Sequence, residues 1–128
     1  MDKYKILLVD DSETNLLLLE AVLGEEHFAI VKALSAKEAY DLLENLHPDL
    51  ILLDLLMPNE NGFDVLKKLR LNDIYNDIPI IIVTAFANAE NKEKANQYGV
   101  FDVIEKPIDI PVFLEKVKRA LKITENIV

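Results

Sequence analysis

Five short apolar runs alternate along this chain with five longer segments of mixed character, and that alternation limits its possible folds more than any other feature. The runs are Tyr4–Val9, Phe28–Ala33, Leu50–Leu53, Ile78–Val83 and Phe101–Ile104. Four of them are rich in Val and Ile or continuously apolar, the pattern of strands buried on both faces. The segments between and after them are Glu13–Leu23, Ala36–Leu46, Gly62–Leu71, Ala89–Tyr98 and Pro111–Lys122. Each has helical length and mixes apolar with charged residues.

Local signals agree with this division. Ser12 and Ser35 stand where helix N-caps belong, and Glu38, three residues after Ser35, completes a capping box. Gly24 and Gly99 fall just past helical patterns, as C-terminal glycines do. Pro111 suits the first turn of the last helix. Repeated β–α units predict a parallel sheet with helices on both faces. Right-handed crossovers leave few topologies. The expected one is an α/β fold, a (βα)5 flavodoxin-like doubly wound sheet of five parallel strands.

At 128 residues the chain is long enough for one domain with a substantial core. We read residues 1–128 as a single domain whose core spans about 4–122. Its 14 Lys and Arg stand against 23 Asp and Glu, a net charge of −9. Nucleic-acid binding needs a basic face, so no direct nucleic-acid partner is expected. The lack of Cys excludes disulfides, thiolate catalysis and zinc–thiolate sites. Nowhere do 18 apolar residues run together, so membrane insertion is not expected. The run Ile6–Val9 is too short for a signal-peptide core, and the expected location is cytoplasmic.

In open parallel sheets, sites form beyond the carboxyl ends of the strands. There the chain places Asp10 and Asp11, then Asp54, then Thr84, and finally Lys106 with Pro107. Asp54 is the sharpest anomaly, because it interrupts the nearly unbroken apolar run LILLDLLMP. A carboxylate there loses hydration unless something compensates. Taken singly, the acid pair reads as an N-cap, Thr84 as a backbone-bonded hydroxyl and Lys106 as a solvated side chain. Their joint placement is what describes a site. Crowded carboxylates repel, and a hard divalent cation such as Mg2+ relieves the repulsion with oxygen ligands. A Lys and a Thr beside it can hold phosphoryl oxygens, and an Asp can itself act as nucleophile, forming an acyl phosphate.

VDDS at 9–12, DLLMPNENG at 54–62, Thr84–Ala85 and Lys106–Pro107 resemble the receiver (CheY-like) domain of two-component response regulators. The resemblance runs from about Tyr4 to Lys122. It implies a phosphoacceptor signalling module rather than an enzyme, one that assists its own Mg2+-dependent phosphorylation and dephosphorylation. By that resemblance Asp54 is the phosphoacceptor, with Thr84 and Lys106 contacting the phosphoryl group. Asp10, Asp11, Asp54 and the backbone carbonyl of Leu56 would hold Mg2+. The implied partners are a histidine kinase or histidine phosphotransfer protein, and an output domain or effector protein. The signal would leave through the surface around the fourth helix and fifth strand. A cis Lys106–Pro107 bond is implied as well. The family's usual aromatic residue three positions before the Lys is replaced by Val103, with Phe101 two residues earlier on the same strand face. A stand-alone receiver and part of a longer regulator or hybrid kinase are both compatible with this chain.

Other classes compete. A flavin- or nucleotide-binding protein of this fold class would cradle phosphate on a Gly- or Ser/Thr-rich first loop, where this chain has Val9–Asp10–Asp11–Ser12. An Asp-nucleophile phosphatase would place its nucleophile on the first strand and commonly add a cap domain. An unphosphorylated interaction module of receiver shape would not need the full acid, Thr and Lys set.

Other residues read more plainly. His27 and His47 read as surface or turn residues, and Lys116, Lys118, Arg119 and Lys122 as complements to the negative end of the last helix. Leu16 to Leu19 sweep roughly 300° of the first helix, too wide for one buried stripe. Leu19, Val22 and Leu23 mark its core side, so Leu17, and next Leu18, are expected to face outward beside the site. Leu56 and Phe86, two residues after Asp54 and Thr84, are apolar and are expected to shield an acyl phosphate from water.

Overall fold

The computed structural model describes residues 3–57 and 60–123. Strands β1 (Lys5–Val9), β2 (Ala29–Ala33), β3 (Leu50–Leu53), β4 (Ile80–Thr84) and β5 (Asp102–Glu105) form one sheet. Its order is β2-β1-β3-β4-β5, and every pairing is parallel. Helices α1 (Glu13–Gly24), α2 (Ala36–Leu43), α3 (Gly62–Leu71), α4 (Ala89–Gln97) and α5 (Ile110–Ala120) connect and close the strands. The strand order reverses between β1 and β3, so the loops leaving them diverge and open a crevice at their carboxyl ends.

The two-residue period of the strands divides the core into two layers. Ile6, Leu8, Leu52 and Val83 face Leu16 and Leu19 of α1 and Phe113 and Val117 of α5. Leu7, Val9, Leu53 and Ile82 face Ala39 of α2, Val65 and Leu66 of α3, and Ala95 of α4. Every residue of β3 and β4 is buried, while the edge strands β2 and β5 are only partly so. The doubly wound expectation therefore stands, as do the N-caps. Ser12 Oγ accepts from Asn15 N–H at 3.2 Å and Ser35 Oγ from Glu38 N–H at 3.1 Å. The Glu38 carboxylate reaches back to Leu34 N–H at 3.3 Å rather than to Ser35 itself.

Several boundaries differ from expectation for identifiable reasons. Helix α2 stops at Leu43, not Leu46, because Asn45 N–H turns back to Leu42 O and Pro48 disfavours helical backbone just before it. Helix α5 stops at Ala120, not Lys122, which takes φ 58°. Lys122 N–H then bonds Arg119 O and Ile123 N–H bonds Lys118 O, a closure usually built on glycine. Gly99, φ 69°, ends its helix as expected, whereas Gly24 lies within α1 and the left-handed residue is His27, φ 63°. Strand β4 begins at Ile80 rather than Ile78, since Pro79 has no N–H to give a ladder, and it includes Thr84. Strand β5 starts at Asp102, not Phe101, and runs on to Glu105. A two-residue antiparallel ribbon, Leu56–Met57 against Glu60–Asn61, is too short to show any periodicity in the sequence. Pro58 and Asn59 lie outside the described residues. Among those described, no helix is long and apolar enough to cross a membrane.

Candidate functional site

The sheet itself levels the strand-end residues. Asp10 N–H bonds Ala33 O at 3.1 Å, Asp54 N–H bonds Val9 O at 3.0 Å, and Lys106 N–H bonds Thr84 O at 2.9 Å. Each ladder thus continues one residue past its strand, so three chemistry-bearing residues end at one height. Gly62 lets α3 start directly against the Asp54 peptide: a Cβ there would lie 2.5 Å from Leu55 Cα and 2.6 Å from Asp54 O.

The side chains converge. Carboxylate oxygens of Asp10, Asp11 and Asp54 all lie within 4.8 Å of one another. Lys106 Nζ donates to Asp10 Oδ2 at 2.7 Å and to Asp54 Oδ2 at 3.3 Å. The second oxygens are engaged as well, Asp10 Oδ1 by Ser12 N–H at 2.9 Å and Asp54 Oδ1 by Leu56 N–H at 3.2 Å. Asp10 and Asp54 are buried and Asp11 is exposed, so the group opens to solvent on one side. Burial pushes the Asp54 carboxyl above its ordinary value, Lys106 and Leu56 N–H pull it down, and Asp10 adds to the rise. Asp10 and Asp54 share the Lys106 ammonium while Asp11 adds a third carboxylate, and that donor set matches a hard divalent cation in both charge and ligand type.

Thr84 is fully buried, and its Oγ1 accepts from Phe86 N–H at 3.3 Å; it joins the group through the backbone bond to Lys106. The Lys106–Pro107 bond is cis. Leu56 is 49% exposed and Phe86 55% exposed. Leu17 and Leu18 are exposed as expected, while Leu16 and Leu19 are buried. A groove of about 420 Å³ runs between α1 and the β5–α5 connection, lined by Leu18, Leu19, Val83, Lys106 and Ile110 among others. His27 lies in an exposed turn and His47 in an exposed loop, its Nε2 3.2 Å from Ile74 O. Of the basic residues late in α5, Lys116 pairs with Asp102 at 3.0 Å, Lys118 with Glu26 at 2.6 Å, and Arg119 with Glu115.

Two polar arrangements escaped the sequence. Arg70 donates to the carbonyls of Tyr98, Asn76, Ile78 and Gly99, tying α3 to the turn after α4. Asn91 donates to Phe86 O at 2.8 Å. Bonds to main-chain carbonyls impose no residue type on the partner and so leave no motif.

Comparison with known proteins follows the same lines. The profile of the response regulator receiver domain matches residues 6–118. The polar-differentiation response regulator DivK of Brucella ovis is 36% identical over 116 residues, covering 91% of this chain and 94% of that protein. A CheY-like response regulator receiver domain protein from Methanospirillum hungatei superposes with a TM-score of 0.87 at 29% identity, covering 94% of this chain and 95% of that one. The signal receiver domain of a signal transduction histidine kinase from Syntrophus aciditrophicus superposes with a TM-score of 0.83 at 31% identity, covering 98% and 97%. Sheet order, strand-end residues and these likenesses agree: the chain belongs to the response regulator receiver domain family of two-component systems.

Proposed function

We propose that this receiver takes a phosphoryl group onto Asp54 from a phosphohistidine on a histidine kinase or histidine phosphotransfer protein. The observation that carries this is the buried Asp54 carboxylate, held between Lys106 Nζ and Leu56 N–H beside two further acids. An Asp54 oxygen attacks phosphorus, the P–N bond to the donor imidazole breaks, and the imidazole leaves with the electron pair. Lys106, oriented by Asp10, faces the developing charge. The Thr84 hydroxyl has a proton to donate to a phosphoryl oxygen while its own oxygen accepts from Phe86 N–H.

Asp10, Asp11, Asp54 and the Leu56 carbonyl are the groups that would hold Mg2+. Bound there, Mg2+ supplies charge neutralisation for both the carboxylates and the incoming phosphoryl oxygens. The exposed Leu17 and Leu18 of α1 offer the donor protein an apolar footing next to the acids. The output leaves through α4 and β5 toward an output domain or effector.

Incubation with acetyl phosphate and Mg2+, followed by intact mass, tests the assignment. One base-labile phosphoryl group is expected on the wild-type protein and none on Asp54→Asn. Equal uptake by Asp54→Asn overturns the acceptor assignment.

A further inference from the structure

Receivers commonly carry an aromatic residue where this chain has Val103, which is half-buried against the core and has no ring to rotate. A different connection is present. Phe86 N–H donates to Thr84 Oγ1 at 3.3 Å, Asn91 Nδ2 donates to Phe86 O at 2.8 Å, and Asn91 N–H donates to Asn88 Oδ1 at 2.8 Å. From these bonds we infer that Asn91 is a positioning residue that couples the Thr84 hydroxyl to the first turn of α4. Helix α4 then follows the state of Asp54 through a chain of hydrogen bonds instead of an aromatic side chain on β5. The inference rests on phosphoryl acceptance at Asp54.

The use made of Asn91 supports it. With Asn88 as N-cap, Asn91 is the third residue of α4. A polar side chain at that position usually accepts from the N-cap N–H. Here it donates instead, to a carbonyl two residues before the cap. Phe86 O is only an acceptor, so the amide orientation is determined by its partner.

Helix α4 has few competing anchors. Ala95 is its one buried residue, and Lys94 lies 4.2 Å from the centre of the Phe63 ring. Its far end is held by Arg70, which donates to Tyr98 O at 2.8 Å and Gly99 O at 3.3 Å. One end of α4 is therefore tied to α3 and the other to the strand-end hydroxyl. Thr84 is fully buried and β-branched, so its hydroxyl has few positions to take. A turn of that hydroxyl toward a phosphoryl oxygen must carry or release Phe86 N–H. Because Asn91 holds the other side of Phe86, the first turn of α4 and the exposed Phe86 ring respond, pivoting on the Arg70 end. This is a two-state element that the strand-end site biases directly.

The test is amide hydrogen exchange across residues 89–92, before and after loading with acetyl phosphate and Mg2+, with intact mass recorded in parallel. Asn91→Asp keeps the shape, suits the positive end of the helix and removes the donor. Asn91→Gln keeps a donor. Wild-type exchange at these amides should change about fivefold or more on loading, the low end of ordinary coupling. Asn91→Asp should load to the same extent with that change lost, and Asn91→Gln should recover part of it. Unchanged β4 exchange in the unloaded variants reports an intact fold. A wild-type response in Asn91→Asp, or loading of the wild type without any change at these amides, overturns the coupling. A wild-type chain that gains no phosphoryl mass instead overturns the Asp54 assignment and takes this inference with it.

Discussion

The chain has only three glycines, and the structure predicts three different outcomes for replacing them by alanine. At Gly62 the added Cβ would sit 2.5 Å from Leu55 Cα, 2.6 Å from Asp54 O and 2.9 Å from Leu55 O. All three are backbone atoms, so no side chain can swing away, and the start of α3 must lift by about 1 Å to reach ordinary contact. Overpacking of this kind costs roughly 1–3 kcal/mol, occasionally more. Alanine's gain over glycine in a helix returns about 0.5–1 kcal/mol. The expected net loss is about 1 kcal/mol. At Gly99 the obstacle is conformational: φ is 69° with nothing within 4 Å, and the left-handed cost is roughly 1–2 kcal/mol. At Gly24 nothing lies within 4 Å and φ is ordinary, so alanine should stabilise by about 0.4–1 kcal/mol. Urea unfolding with unchanged m-values measures all three. Only Gly62→Ala should also slow phosphoryl uptake from acetyl phosphate, because only it displaces the Asp54 peptide. The close-approach argument is refuted if Gly62→Ala unfolds within about 0.5 kcal/mol of wild type, the usual scatter for a neutral surface change.

Mg2+ at ~100 times its dissociation constant should add about 2.7 kcal/mol, against matched ionic strength of NaCl; an equal gain in Asp11→Ala would count against the metal assignment. In Mg2+-free solution, the raised Asp54 pKa makes its contribution to stability fully present below about 3.9 and lost as pH rises through the folded-state value. The stability of wild type minus that of Asp54→Asn should therefore fall with rising pH across that window, and a rise would contradict the burial argument. Leu56, hydrogen-bonded to Asp54, and Phe86, hydrogen-bonded to Thr84, are both exposed, so Leu56→Asn with Phe86→Glu should speed loss of the phosphoryl group by admitting and orienting water; an unchanged lifetime removes the shielding role. Leu17→Asp and Leu18→Asp should slow transfer from a phosphohistidine partner while leaving acetyl phosphate uptake normal, each forfeiting up to roughly 1.5–3 kcal/mol of apolar contact. The larger loss should fall at Leu18, which lines the groove beside Lys106, and slowing with both donors would mean the site itself was disturbed.

The amino-acid sequence alone determined the order of the five sheet strands and five helices, the sheet class and which polar residues stand at the strand ends. These follow from short-range physics: apolar period, cap residues, and an Asp in a run where an unpaired charge is costly. The convergence of Asp10, Asp11, Asp54 and Lys106, with Thr84 on the neighbouring strand, was legible because these residues stand at or just past strand ends, and their spacing forms a family motif. The outward turn of Leu17 and Leu18 was legible too, since four consecutive leucines cannot all face one core. Only the tertiary structure decided what depends on distant partners. Pro79 and the register Ile51↔Ile80 set where β4 begins, and Lys122 rather than a glycine closes α5. Gly24 stays within α1, and the left-handed position falls on the turn residue His27, because φ at a helix end depends on where the following strand must enter the sheet. The Leu56–Met57 ribbon, the Arg70 bonds to four carbonyls and the Thr84–Phe86–Asn91 chain had no sequence signal. Every residue offers the same carbonyl and N–H, so a backbone partner becomes visible only once folding has brought it within reach.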